Sequence, residues 1–176
     1  QGGLYSLGLV GYLAQHSPDV GTALRNLVRY LHIHVRGATP TLKVNGDLVH
    51  LGYEILQSRI EAVDQIQDGA LAQECNIMRT LCGADWKPIE VQFAHNKPGD
   101  LEPYRQFFQS RVQFNAAENA LVFSASWLTH RLPSADPQLH RLLQQQIDAL
   151  TARDGEDFAE QVRRVLRTAL LTGHGK

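Results

Sequence analysis

His32 and His34 are the first residues in the chain that could share a metal ion. Two imidazoles at i and i+2 lie on one face of an extended segment but diverge in a helix. Here they end a helical apolar pattern, and no Cys-x-x-Cys, His-Glu-x-x-His or spaced carboxylate accompanies them. They read as helix-end histidines facing the negative pole, and no metal or cofactor is expected. His50, His95, His130 and His140 are scattered. Asp64 and Asp68 stand at i and i+4, a spacing that puts both carboxylates on one helix face and usually marks a solvated one. Arg163, Arg164 and Arg167 read the same way, opposite Val162 and Leu166. Ser124 and Ser126 lack a Gly-x-Ser-x-Gly context. Gly3, Gly8 and Gly11 fit neither phosphate-loop motif and follow no strand, so close helix packing explains them better. No constellation points to an enzyme.

Cys75 and Cys82 fall seven positions apart in one helical pattern. At a rise of about 1.5 Å per residue they stand about 10 Å apart, beyond the roughly 7 Å a disulfide tolerates. Free thiols follow, in keeping with a reducing compartment.

With 176 residues, 43% hydrophobic and 20% charged, the chain is long and apolar enough for one globular core, which excludes a disordered polypeptide. Seventeen basic against eighteen acidic side chains leave a net charge of −1, so no general attraction to nucleic acid or anionic membranes follows. The most apolar run, Leu4 to Ala14, is about half of the roughly 20 residues a membrane span needs, and no basic stretch precedes it. The expectation is a cytoplasmic protein with no membrane partner. Residue 1 is Gln, so the chain is read as an excised piece, a single domain over residues 1–176.

The elements follow from periodicity. Ser17-Pro18-Asp19 reads as a helix start with Ser17 as N-cap, followed by an apolar stripe of Val20, Leu24, Leu27, Val28 and Leu31. Leu42, Val44, Val49, Leu51, Tyr53 and Ile55 alternate around Asn45-Gly46-Asp47 as a hairpin. Residues 61–81 read as the longest helix, with Gly83 as its stop. Ile89, Val91 and Phe93 predict a third strand, and a short helix carries Leu101, Tyr104, Phe107 and Phe108. Val112, Phe114, Leu121 and Phe123 predict a second hairpin around residues 116–119. Two further helices are expected, one through Leu139, Leu142, Leu143 and Leu150, the other through Phe158, Val162, Val165, Leu166 and Leu170. The fold class is α+β, a mainly antiparallel sheet of about five strands covered by helices.

Two stretches resemble a known family. Gly11-Tyr12 with Ser17-Pro18-Asp19-Val20-Gly21-Thr22-Ala23-Leu24 is similar to the start of the N-terminal sensor domain in one branch of AraC-type transcriptional regulators. Trp86-Lys87-Pro88, Val91-Gln92-Phe93-Ala94-His95, Pro98, Tyr104-Arg105-Gln106-Phe107-Phe108, Val112-Gln113-Phe114, Asn119-Ala120-Leu121-Val122-Phe123 and Leu132-Pro133-Ser134-Ala135-Asp136-Pro137 resemble the same domain in order and spacing. Together they span roughly residues 8–172. The branch includes regulators of ornithine utilisation, and its sensor is often labelled arabinose-binding. That label does not name the ligand, because the sugar sensor of the arabinose regulator is a cupin-type barrel, whereas few strands and long helices here predict no cupin barrel. The chain departs from the family at Asp19-Val20, where Thr-Leu is usual, and lacks about the first quarter of the usual sensor.

The resemblance implies a domain that binds a small metabolite and controls a C-terminal helix-turn-helix module, which would begin about where this chain stops. DNA contact is then expected only through that module. The alternative is a homodimerisation module without a ligand. Large rings with polar tips beside core segments mark Tyr12, Arg29, Tyr53, Trp86 and His95 as the expected ligand contacts. An inward-turned Arg29 could hold the carboxylate of an amino-acid-like effector by a bidentate pair.

Overall fold

The computed structural model describes residues 3–34, 38–55 and 63–172. A 3₁₀ turn at Leu4–Leu7 leads into α1 (Gly8–Gln15), and α2 follows at Val20–His34. Gly11 lets α1 fold back on that turn, since a Cβ there would run into the Leu4 carbonyl. The cap of α2 is Asp19, whose Oδ1 accepts from the Thr22 amide at 2.7 Å, and not Ser17. Ser17 still belongs to the end of α1: its hydroxyl donates to the Leu13 carbonyl at 2.9 Å. Asp19 also forms an isolated bridge with Arg131, which fixes where the chain can enter the helix. Val20, Ala23, Leu24, Leu27 and Tyr30 form the buried stripe of α2.

Strands β1 (Ala38–Asn45) and β2 (Leu48–Ile55) form the expected hairpin, closed at the Asn45–Leu48 pair. Gly46 takes φ of 59° in the two-residue turn, a conformation glycine adopts without penalty. Helix α3 (Val63–Cys82) follows, then β3 (Glu90–Gln92), α4 (Glu102–Phe108), β4 (Arg111–Gln113) and β5 (Ala120–Ser124). Residues 61 and 62, the expected start of α3, lie outside the described residues.

The sheet order is β1-β2-β5-β3-β4. Three pairings are antiparallel and one, β3 with β4, is parallel. The expected hairpin between β4 and β5 does not form, because β3 lies between them. The reason is the α4 crossover, which returns the chain parallel to β3. The Phe93 amide then donates to the Gln113 carbonyl, and the Asn115 and Ala116 amides to those of His95 and Phe93. Val49, Leu51, Val91, Leu121 and Phe123 line one sheet face, which α2 and α3 cover. The other face carries ion pairs: Glu118 with Lys43 at 2.7 Å and with His50 at 2.9 Å, and Arg111 with Glu90 at 3.2 Å.

A short 3₁₀ segment, Ala125–Thr129, precedes α5 (Pro137–Thr172). Asp136 caps α5 by accepting from the amides of Gln138 and Leu139, both at 3.0 Å. The two helices expected after Asp136 are one helix of 36 residues, about 54 Å long. Gly155 costs a helix interior only about 1 kcal/mol, and no proline stands between the two apolar stretches. Among the described residues no helix is long and apolar enough to cross a membrane.

Candidate functional site

Helix α3 carries two side chains, Gln67 and Glu74, with buried polar atoms that lack partners among the described residues. Its face toward the sheet runs Gln67, Leu71, Glu74, Met78, the i, i+4, i+7, i+11 stripe of an amphipathic helix. Leu71 and Met78 are fully buried core residues, and Glu74 between them is 8% exposed. Neither carboxyl oxygen of Glu74 has a hydrogen-bond partner among the described residues, and the same holds for Oε1 of Gln67. Burial alone pushes the Glu74 carboxyl up to about 8. Tyr53 of β2 faces this region, and its hydroxyl is raised first by burial and then by the charge of Glu74.

A cleft of about 530 Å³ opens where α3 begins, edged by Thr41, Tyr53, Gln67, Ala94, Glu118 and Asn119 among others. Asn119 shapes its floor. The Asn119 backbone carbonyl accepts from the Tyr53 amide at 3.2 Å and its side chain from the Ala94 amide at 2.9 Å. Gly52 permits that approach, because a Cβ there would meet the Asn119 carbonyl.

On the flank of α3, Asp68 binds two rings. Its Oδ1 lies 2.9 Å from His95 Nε2, and its Oδ2 accepts from the Tyr104 hydroxyl at 2.6 Å. Burial, followed by Asp68, raises the Tyr104 hydroxyl. Asp68 is therefore not part of a solvated carboxylate face with Asp64. Tyr104 and His95 surround Phe93, which stacks on Phe114 at 5.4 Å. Both ring nitrogens of His95 face oxygens, the second being the Asn96 carbonyl at 2.9 Å.

Three of the five expected contacts surround α3. Tyr53 edges the cleft, His95 binds Asp68, and Trp86 lies at the far end, where its carbonyl accepts from Arg79. Trp86 packs edge-on against Phe123 at 5.6 Å, and its buried Nε1 lacks a partner among the described residues. The other two lie elsewhere. Tyr12 is exposed on α1 and meets Tyr5, while the exposed Arg29 guanidinium on α2 stands 3.8 Å from Asp148 of α5. His32 and His34 fall in the last turn of α2, and their side chains lie outside the described residues, as do those of Arg164 and Arg167. Gln67, Glu74 and Asn119 were not singled out from the sequence. The available signal for Glu74 was an acid standing at a core position of the stripe shared by Leu71 and Met78.

Residues 2–132 match the family model described as "Arabinose-binding domain of AraC transcription regulator, N-term". The chain is similar to the HTH-type transcriptional regulator VirS of Mycobacterium tuberculosis, in two strains, with 23% identity over 173 residues. That match covers 97% of this chain and 51% of the relative, so the chain spans about half the length of the curated relatives it matches. The fold is similar to that of the transcriptional regulator CdpR from Pseudomonas aeruginosa, with a TM-score of 0.68 and 16% identity, covering 80% of this chain and 46% of that one.

Proposed function

The chain belongs to the family of arabinose-binding N-terminal domains of AraC-type transcription regulators, and from that premise we propose that it is an effector-sensing domain. It binds a small metabolite and controls a DNA-binding module attached at its C-terminal side, in the cytoplasm. The observation that carries the reading is Glu74, a buried carboxyl without a hydrogen-bond partner among the described residues, two turns along α3 from a cleft edged by Tyr53 and Gln67. An unpaired buried polar group costs on the order of 1–3 kcal/mol, and strongly perturbed carboxyls beside clefts concentrate at functional sites. The effector site is thus assigned to Tyr53, Gln67 and Glu74, with Trp86 and His95 around the same helix. Tyr12 and Arg29 stand apart from it, on α1 and α2. The narrower placement in the branch that includes ornithine-utilisation regulators rests on the ordered segments from Gly11-Tyr12 to Asp136-Pro137.

An effector acts by binding one arrangement of sensor and DNA module better than another, and a bias of about 1–3 kcal/mol is enough for a clear response. Helix α5 is the natural lever, since it packs on α1 and is the element nearest to where the proposed module would attach. A metabolite screen by thermal shift tests the reading, because a ligand at 100 times its Kd adds about 2.7 kcal/mol of stability. Tyr53→Ala is expected to reduce the shift and Arg29→Ala to keep it. A full shift in Tyr53→Ala moves the site elsewhere.

A second reading, homodimerisation, is favoured by the large apolar side chains exposed on α1 and α5, Leu9, Tyr12, Leu142 and Leu150. Sedimentation of the wild type against Leu142→Glu and Leu150→Glu tests it, with a monomer at all concentrations counting against it.

A further inference from the structure

We propose that the cavity between α4 and β4 binds the carboxylate of a small apolar acid. This site goes beyond the sensor reading, since it shares no lining residue with the cleft at Tyr53 and Gln67. Its volume is about 250 Å³, and Arg105, Ser110 and Arg111 form the polar part of its wall. All three side chains carry donors, and no carboxylate lines the cavity. The Arg105 guanidinium has no hydrogen bond or ion pair among the described residues. Arg111 is steadied from one side only, its Nε standing 3.2 Å from Glu90 Oε2, which leaves its terminal nitrogens for a ligand. Oγ of Ser110 is closed off from solvent without a partner among the described residues, and a change of χ1 rotamer presents it to an anion. Gln109, at φ of 52°, ends α4 in the left-handed conformation, and the reversal there carries Ser110 and Arg111 back to the cavity that Arg105 edges.

The rest of the wall selects the body of the ligand. Tyr104 and Phe114 meet edge to face at 5.3 Å, Phe114 stacks on Phe93, and Leu101 and Val112 complete an apolar lining. The Tyr104 hydroxyl is committed to Asp68 at 2.6 Å, so what this residue offers the cavity is its ring. An inorganic anion leaves that wall uncovered, whereas a ring or a branched alkyl group fills it. Drug-sized ligands occupy about 300–1,000 Å³, so the acid is smaller than these. A planar carboxylate also matches the guanidinium fork, which binds it through two parallel hydrogen bonds. Because Tyr104 both walls the cavity and holds Asp68, the site adjoins the cluster that ties α4 to α3.

The test titrates the 176-residue chain with phenylacetate and 3-methylbutanoate, against phenylacetamide and inorganic phosphate at constant ionic strength, by thermal shift and backbone amide NMR. The two acids are expected to raise Tm with the logarithm of their concentration and to move the amide signals of residues 101–114, and the neutral amide and phosphate to do neither. Arg105→Gln is expected to weaken acid binding by about ten-fold or more, the loss of one charged hydrogen-bonding partner, and Tyr53→Ala to leave it unchanged. Arg105 is exposed, so its replacement leaves the core intact. Phenylacetamide acting as strongly as phenylacetate overturns the anion assignment, and phosphate doing so overturns the apolar acid. Undiminished binding in Arg105→Gln overturns the site. Signals that move at Thr41, Tyr53 and Asn119 instead place the acid in the cleft, which overturns this cavity and supports the sensor reading. Silence toward both acids overturns the proposal and leaves the sensor reading to its own metabolite screen.

Discussion

The hydroxyl of Tyr30 on α2 donates a 2.6 Å hydrogen bond to Asp148 Oδ1 on α5, joining residues 118 positions apart. The Tyr30 ring is buried, and its hydroxyl is raised by burial first and by Asp148 next. Arg29 stands 3.8 Å from the same carboxylate, but both groups are exposed there and the ion pair adds little. The bond from Tyr30 is therefore one of the polar links by which α2 orients the first half of α5, beside Asn26 Nδ2, which lies 3.2 Å from His140 Nε2.

Tyr30→Phe keeps the ring and removes that link. A loss of about 1 kcal/mol is expected in denaturant unfolding. Hydrogen exchange should quicken at residues 140–152 and stay unchanged in β2 and β5. Equal quickening throughout would show a global loss of stability in place of a loosened helix.

Glu74 predicts an unusual pH profile. Its folded carboxyl sits at about 8 against an ordinary 4.5, so between these values the folded state keeps a proton that the unfolded state has lost. Stability from this group is full below about 4.5 and falls as pH rises toward 8, by an amount on the order of a few kcal/mol. Glu74→Gln should remove the slope, so that the variant gains on the wild type between pH 5 and pH 8. Parallel profiles of Tm against pH would falsify the assignment of the slope to Glu74.

Asp68 ties α3 to two rings, one from the segment that follows β3 and one from α4. Asp68→Ala is expected to cost about 2 kcal/mol, because it leaves the Tyr104 hydroxyl and a His95 nitrogen without their acceptor. In a double-mutant cycle with Tyr104→Phe, a coupling of about 1 kcal/mol is expected, and additive losses would mean that the Tyr104 bond contributes nothing.

Two glycines should respond in opposite directions. Gly52→Ala drives a Cβ into the Asn119 carbonyl and should cost about 2 kcal/mol or more, distorting the cleft floor. Gly69 lies within α3 with open space around it, so Gly69→Ala should stabilise by about 0.5–1 kcal/mol. Denaturant midpoints for both variants give the comparison, and a neutral Gly52→Ala would place the loop at residue 119 farther from β2.

Cys75 and Cys82 are free, and burial raises both thiols, Cys82 up to about 12. Alkylation at pH 7.5 should be far slower than for an exposed cysteine and should accelerate at the unfolding midpoint. Rapid modification of the folded chain at Cys82 would contradict its packing against the core.

Periodicity within the chain is a local property, and what depends on it alone was legible. The alternation of Val49, Leu51 and Tyr53, the stripe of Val20, Leu24 and Leu27, and the glycine turn at Gly46 specify a hairpin and a helix without reference to anything distant. The ordered segments from Gly11-Tyr12 to Asp136-Pro137 also lie in the sequence itself, and the family followed from them. Strand partners are not local. Val112 and Phe114 look equally ready to pair with Leu121 or with Val91, and the crossover through α4 decided for β3. Asp19 caps α2 through a local bond to Thr22, and only the tertiary structure adds its bridge to Arg131, more than a hundred residues away. The union of the last two apolar stretches into α5 depended on nothing interrupting them except Gly155. Glu74 shows the same division. An acid among apolar stripe residues is written in the sequence, but whether that stripe meets water or the sheet is decided by packing, and only burial turns an ordinary carboxyl into an unpaired one.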